Sequence, residues 1–395
     1  ALAAQLWSNE YVFLVAPDEA EALALPPPCM DQLLAGDPVA GAEQLCRVLY
    51  ENPCSAINGD ILEKDISGIA PPAFAQLFHV LRDEARETRE VRATIRIISG
   101  VDNETSLKVK AQYESDPYPR WRGVALFPGR YVDYLASYFE GAELRFAAAP
   151  FDLLVAGCGT GCQAVSAALD YGPNARVVGL DISEASLAYA GTMARRMGVG
   201  NLELVLGDID KLPGIEPSWR GRFKVIECCG VLHHMADPFG AWQRLLDCLA
   251  PDGLMLVGLY SAHARRHLET LRQDDNFPAP GCSLDELRAY REHLFARGAE
   301  APGASYLRSR DAFTSSGFRD FFLHVSEKVT TLVEVDRFLA DNGLRFRGFT
   351  SVGAAPFRRR FPTARPPGRL AQWAELEAEM PDLFLGMYQL WVSRI

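Results

Sequence analysis

Between Phe151 and Ser261, short apolar runs alternate with amphipathic stretches of helical period. The runs are Phe151–Ala156, Arg176–Leu180, Leu202–Leu206, Phe223–Glu227 and Leu254–Leu259. Apolar strands separated by helices predict a parallel sheet covered on both faces. The intervening helices carry readable ends. Ser183 is placed to cap a helix with Glu184 in its first turn, and Asp237-Pro238 sets a cap before a proline. Trp242, Leu245, Leu246 and Leu249 then form one apolar face ahead of a Pro-Asp-Gly turn.

Outside this block the pattern changes. Residues 1–90 read as mainly helical, broken by Leu25-Pro-Pro-Pro28 and by turns near Gly59 and Pro71-Pro72. Val91–Ser99 alternates like a strand, and Gly129–Phe139 reads as a helix. Residues 262–328 are polar, Arg-rich and weakly periodic, as expected of an insertion after the fifth strand. Thr331-Leu-Val-Glu334 is a capping box opening a helix that Gly343 closes. Strands at Leu344–Phe349 and Met387–Ser393 complete a seven-stranded set. The expected organisation is therefore a helical region over 1–110, an aromatic cap and lead-in helix over 111–150, and an α/β Rossmann-like core over 151–261. An insertion or substrate lid over 262–330 and the completion of the sheet over 331–395 follow.

Composition narrows the classes. Hydrophobic residues make up 48% of the 395 and charged ones 23%, ordinary values for a globular chain. The net charge of -11 argues against a nucleic-acid partner. No apolar stretch suits a membrane span or a signal peptide, so no membrane partner is expected. Nine scattered cysteines without a CxxC pair fit a reducing cytoplasm.

The chemistry begins where the first strand runs into Gly157-Cys-Gly-Thr-Gly161. Glycines at 157, 159 and 161 let backbone N–H groups approach a ligand at the start of a helix, which predicts a nucleotide-type cofactor. Asp181 ends the second strand, where a carboxylate can accept ribose hydroxyls. Asp208 ends the third, where it can accept from an adenine amino group. A dinucleotide fingerprint would place Gly or Ala where Cys162 stands. The alternating glycines with a second acid instead resemble the class I S-adenosylmethionine-dependent methyltransferases. Phe223-Lys-Val-Ile-Glu-Cys-Cys-Gly-Val-Leu-His-His234 resembles the segment after strand four in their small-molecule members.

The resemblance implies a mostly parallel seven-stranded sheet whose last strand is antiparallel. It implies S-adenosyl-L-methionine held by Gly157, Cys158, Gly159, Thr160, Gly161, Asp181, Ile182, Asp208, Ile209, Glu227 and Tyr113. Many members carry an acid two residues before the first glycine, to order the methionine end of the cofactor; here Val155 stands there. Backbone carbonyls near Gly157, or Glu227, would have to replace it. The passage Gln112-Tyr-Glu-Ser-Asp-Pro-Tyr-Pro-Arg-Trp121 and the terminal Gly386-Met-Tyr-Gln-Leu-Trp-Val392 resemble bacterial methyltransferases that often carry tetratricopeptide repeats. No 34-residue repeat is seen, so the resemblance implies a repeat-less or N-terminally trimmed member.

Candidate catalytic residues are His233 and His234, either of which can serve as a general base or simply shape the pocket. Glu227 joins them, as a carboxylate able to orient the acceptor or the cofactor's ammonium. Tyr118, Arg120 and Trp121 are candidate acceptor-binding residues, with Tyr113 beside them; the alternative is a proline-fixed linker whose aromatics anchor it to the core. Cys228 and Cys229 read as packing residues. His263 and His267 are spaced one helical turn apart but lack a third ligand, so no metal site is expected. Arg358, Arg359, Arg360, Arg365 and Arg369 read as an exposed loop. The acceptor is expected to be a small molecule or a peptide side chain, methylated on N or O. The rival readings are a non-catalytic S-adenosylmethionine-binding protein and an NAD-dependent oxidoreductase.

Overall fold

The computed structural model describes residues 9–23, 47, 72–127, 131–298, 300–365 and 367–395. The breaks at 25–28, near Gly59 and at Pro71, and the start of the helix expected from Gly129, lie outside the described residues. The chain divides into two compact units. One contains residues 94–274 and 324–395; the other joins the described residues up to 93 with 275–323.

The larger unit is built on a sheet of eight strands: β1 (Arg96–Ile97), β2 (Phe151–Ala156), β3 (Ala175–Asp181), β4 (Leu202–Leu206), β5 (Phe223–Cys228), β6 (Leu249–Leu259), β7 (Leu344–Phe349) and β8 (Tyr388–Arg394). Their order across the sheet is β1-β4-β3-β2-β5-β6-β8-β7. All pairings from β1 to β6 are parallel, and β8 runs antiparallel between β6 and β7. The winding direction reverses between β2 and β5, which opens a crevice at the carboxyl ends of those strands.

Two expectations need correction. The strand expected over Val91–Ser99 is only Arg96–Ile97, because the helix α1 (Pro72–Arg92) takes up its first residues. Those two exposed strand residues pair with β4 alone and make eight strands rather than seven. The Pro-Asp-Gly turn is instead a bulge inside β6, between the pairings of Phe223 with Leu249 and Val225 with Leu254.

The helices bury the two sheet faces unequally. On one side α2 (Glu104–Ser115) packs on α4 (Glu184–Arg196), while α3 (Cys162–Asp170) and α4 cover Leu153, Val155, Val177 and Val225 with small residues such as Ala164 and Ala167. On the other, α5 (Pro238–Cys248) and α8 (Leu332–Asp341) press Trp242, Leu245 and Val335 onto Leu154, Ile226 and Met255. The caps form as the sequence predicts: Ser183 accepts from Ser186 N–H, Asp237 from Gly240 N–H, and Thr331 makes a reciprocal box with Glu334.

The expected insertion is shorter than 262–330. Residues 324–330 run beside the sheet: Lys328 N–H donates to His233 O, Thr330 N–H to Tyr260 O, and Ala262 N–H to Thr330 O. The helical region likewise ends near Ala93 rather than at 110, since α2 belongs with the sheet. In the smaller unit α6 (Leu284–Ala296) opens on a Ser283–Glu286 capping box, and α7 (Ser315–Phe322) receives the Glu10 carboxylate on Ser316 N–H at 2.6 Å. Arg291 lies over the rings of Phe13, Phe295 and Phe313. Among the described residues no helix is long and apolar enough to cross a membrane.

Trp242 is fully buried between α5 and the sheet. Trp242→Ala is expected to cost about 3–5 kcal/mol, read as a lowered urea midpoint at unchanged slope.

Candidate cofactor and acceptor site

β2 ends at the crevice, and the next residues turn back over it. Gly157, Gly159 and Gly161 all have positive φ, at 71°, 52° and 84°. Side chains are excluded there as well as disfavoured. A Cβ at Gly157 would collide with Val231, and one at Gly161 would lie 2.5 Å from Ala190 Cβ on α4. The turn thus lets β2, α3 and α4 approach one another and leaves backbone N–H groups at the start of α3. Cys158 faces inward and is buried, with its thiol pushed well up by burial.

The acid at the end of β3 is joined to this turn. Gly159 N–H donates to Asp181 Oδ2 at 2.7 Å, and Ser183 N–H donates to Oδ1 at 2.8 Å. Burial pushes the Asp181 carboxyl up to about 6, against the pull of the Ser183, Gly159 and Ile182 N–H groups. Each oxygen keeps a second lone pair for a ligand. At the end of β4, Asp208 accepts from Asp210 N–H at 2.9 Å through Oδ1, and its own N–H donates to Ser99 Oγ. Its Oδ2 is buried with no hydrogen-bond partner, and burial raises its pKa. A buried unpartnered carboxylate oxygen is costly unless a ligand donor meets it. Ile182 is half-buried beside Asp181, and Ile209 is buried against the core below Asp208.

Residues 113–121 are strapped over the same strand ends. Ser183 Oγ donates to Tyr113 O, and Glu184 N–H donates to Glu114 Oε1 at 2.6 Å. Thr160 Oγ1 donates to Pro119 O at 2.5 Å, and Tyr118 O faces Gly159. Trp121 departs from its expected place in an acceptor wall. Its indole N–H donates to Thr160 O at 2.9 Å and its ring is buried among Val165, Met193 and Ala194, so it anchors the strap. Arg120 is half-buried next to it.

Glu227 sits on β5 directly opposite Val155 in the parallel register, on the same sheet face. Gln163 Nε2 donates to its Oε2 at 2.8 Å and Tyr171 OH to its Oε1 at 3.2 Å. Burial pushes its carboxyl up to about 7, partly offset by those two donors. Cys228 is buried and Cys229 half-buried, with both thiols pushed up by burial.

His233 and His234 form a tight turn after β5 and are both buried. His233 stacks on Tyr260 at 3.6 Å, and His234 stacks on His324 at 3.5 Å. Arg265 lies over Tyr260 and is paired with the buried Glu327 at 2.5 Å. His263 precedes the helix Arg266–Arg272, so it does not share a helical face with His267. Arg358, Arg359 and Arg360 are exposed but end a short helix rather than a loop, with Arg360 paired to Glu379.

Glu114, Gln163, Tyr171 and His324 were not foreseen. Their partners lie 56 to 211 residues away, and no spacing rule reaches them.

Gly161→Val is expected to lower the melting temperature and abolish cofactor binding together, since both the φ of 84° and the Ala190 contact forbid it. Glu227 holds its proton in the native state between about 4.5 and 7. That contribution to stability is present below pH 4.5 and lost as pH rises through about 7. Urea titrations of the wild type and Glu227→Gln across this range should show a shallower fall in the variant.

Residues 152–293 match the family described as a methyltransferase domain. An uncharacterized protein of Synechococcus sp. is 30% identical over 218 residues, half of this chain and 48% of that protein. The nocamycin O-methyltransferase of Saccharothrix syringae is 33% identical over 103 residues, 26% of this chain and 35% of that enzyme. The chain thus spans less than half the length of either relative. Among solved structures, PKMT2 of Rickettsia typhi superposes with a TM-score of 0.50 at 17% identity, covering 70% of this chain and 54% of that one, a likeness of fold. The glycine turn at the reversal of the sheet and the two strand-end acids, Asp181 and Asp208, all lie within the stretch 152–293 that matches a methyltransferase domain.

Proposed function

We propose that the protein transfers the methyl group of S-adenosylmethionine to an oxygen, or secondarily a nitrogen, of a small molecule. The observation that carries this reading is the bond from Gly159 N–H to Asp181, which holds the glycine turn and the strand-end acid as one cradle at the reversal of the sheet. The cofactor, when bound, supplies an electrophilic methyl and a neutral thioether leaving group. Asp181 would accept its ribose hydroxyls through the lone pairs that Gly159 and Ser183 leave unused. Asp208 Oδ2 would accept the adenine amino group and so gain the partner it lacks. Glu227, beside Val155 on the same face, would offset the charge of the methionine end.

Oxygen is favoured as acceptor because the Saccharothrix relative is named an O-methyltransferase. A small molecule is favoured over a peptide side chain because the turn after β5 carries the paired histidines that resemble small-molecule members. Such transfer is an in-line displacement, so proximity and orientation supply much of the acceleration.

Calorimetric titration with S-adenosylhomocysteine and with NADH tests the cofactor. Tight binding of NADH alone would overturn the proposal. Asp181→Ala is expected to weaken S-adenosylhomocysteine binding by about 1–3 kcal/mol through a lost charge-assisted hydrogen bond. Because the carboxyl titrates at about 6, wild-type affinity should fall as pH drops through 6 while that of Asp181→Asn changes less.

A further inference from the structure

The three buried imidazoles after β5 are not equivalent. The rings of His233 and His234 meet edge to face at 4.3 Å, and His234 stacks on His324 with 20° between their planes. The backbone of Ser326 touches both members of the stacked pair, in opposite senses. Its carbonyl oxygen lies 2.8 Å from His234 Nδ1. A carbonyl only accepts, so His234 Nδ1 carries a proton. Its N–H donates to His324 Nδ1 at 3.0 Å, so that nitrogen carries a lone pair. The His324 proton therefore sits on Nε2, 3.2 Å from the Tyr113 hydroxyl.

Both rings are neutral. Burial pushes His234 down to about 4 and His324 well below its usual range. A neutral imidazole protonated at Nδ1 presents a lone pair at Nε2. One peptide unit thus fixes the tautomer of His234 and points its basic nitrogen away from Ser326. His233 differs: it lies flat on Tyr260 and both its ring nitrogens are buried without a partner, so nothing sets its tautomer.

The pair stands next to the cofactor cradle. Val231, two residues before His233, fills the space that a Cβ of Gly157 would occupy. Tyr113, which meets His324 through its hydroxyl, accepts the Ser183 hydroxyl through its carbonyl at the end of β3.

We propose that His234 Nε2 takes the proton of the methyl acceptor, that the Ser326 peptide and His324 are its positioning groups, and that the acceptor is a hydroxyl of phenol or enol acidity. This rests on the methyl-transfer reading above. The O–H bond of the acceptor breaks and its proton passes to Nε2. The oxygen's electron pair forms the new O–CH3 bond as the C–S bond breaks, with its pair left on sulfur. His234 then returns the proton to solvent. An ordinary alcohol is too weak an acid for an imidazole whose cation burial disfavours, whereas a phenol or enol brings more of the required charge on oxygen.

His234→Asn separates the two roles of the ring. Its amide N–H can still donate to Ser326 O, but the nitrogen corresponding to Nε2 is gone. Nitrogen-15 NMR of the labelled full chain should show His234 as the Nδ1–H tautomer and His324 as the Nε2–H tautomer. With labelled S-adenosylmethionine and a panel of simple phenols and primary amines, label should enter phenols. His234→Asn should then lose about 100-fold or more in turnover at saturating phenol, with S-adenosylhomocysteine affinity and melting temperature essentially kept. Added imidazole should restore part of the turnover of His234→Gly.

A proton on His234 Nε2 in the resting protein would overturn the proposal. So would near-wild-type turnover by His234→Asn, label passing only to amines, or no phenol accepting label from a chain that binds S-adenosylhomocysteine. Failure to bind S-adenosylhomocysteine at all would overturn the methyl-transfer reading itself, and calorimetry reads that outcome separately.

Discussion

The site depends on how closely backbone can approach backbone at the end of β2. Three left-handed glycines there remove the Cβ atoms that would strike Val231 and Ala190, and one of them donates to the acid that ends β3. That contact holds two parallel strands, two helix starts and the turn after β5 in one frame. Asp181 in turn keeps acceptor capacity because its hydrogen bonds from Gly159 N–H and Ser183 N–H fall on different oxygens. Burial makes its charge costly, so the arrangement is poised for a ligand that brings further donors.

Acidic groups around the crevice show a division of labour set by environment. Asp208 keeps one oxygen without a partner, as an open acceptor site. Glu227 is satisfied by Gln163 and Tyr171, yet burial still drives its carboxyl toward neutrality near pH 7. It occupies the sheet position beside Val155, so the carboxylate absent from β2 has a neighbour on β5. The strap over 113–121 closes the same region through backbone contacts, with Trp121 as its anchor and Glu114 capping α4.

The imidazole pair follows a different logic, in which a peptide unit orients side chains. Ser326 gives its carbonyl to one ring and its N–H to the other, so two chemically identical groups acquire opposite tautomers. This needs residues 324–330 to lie along the ends of β5 and β6, which their backbone bonds to His233 and Tyr260 ensure.

Much of this was legible in advance, for local reasons. Apolar runs marked every long strand, and cap residues marked the starts of α4, α5 and α8. Glycines at alternate positions marked the turn, because left-handed backbone and close approach both demand them. β1 was misjudged because two exposed residues paired on one edge leave almost no hydrophobic pattern. The sequence left Trp121 open between acceptor wall and anchor, because an aromatic beside prolines looks the same whether it lines a pocket or anchors a strap. Sequence by itself determined the long strands, the turn and the order of acids along them, since these follow from side-chain period and backbone sterics within a few residues. Only the tertiary structure decided that Glu227 stands beside Val155, that Glu114 caps α4, and that Ser326 assigns the protons of His234 and His324. Apart from the local bond of Ser326 to His324, those contacts join segments 70 to 92 residues apart, where register and packing, not local preference, set what touches what.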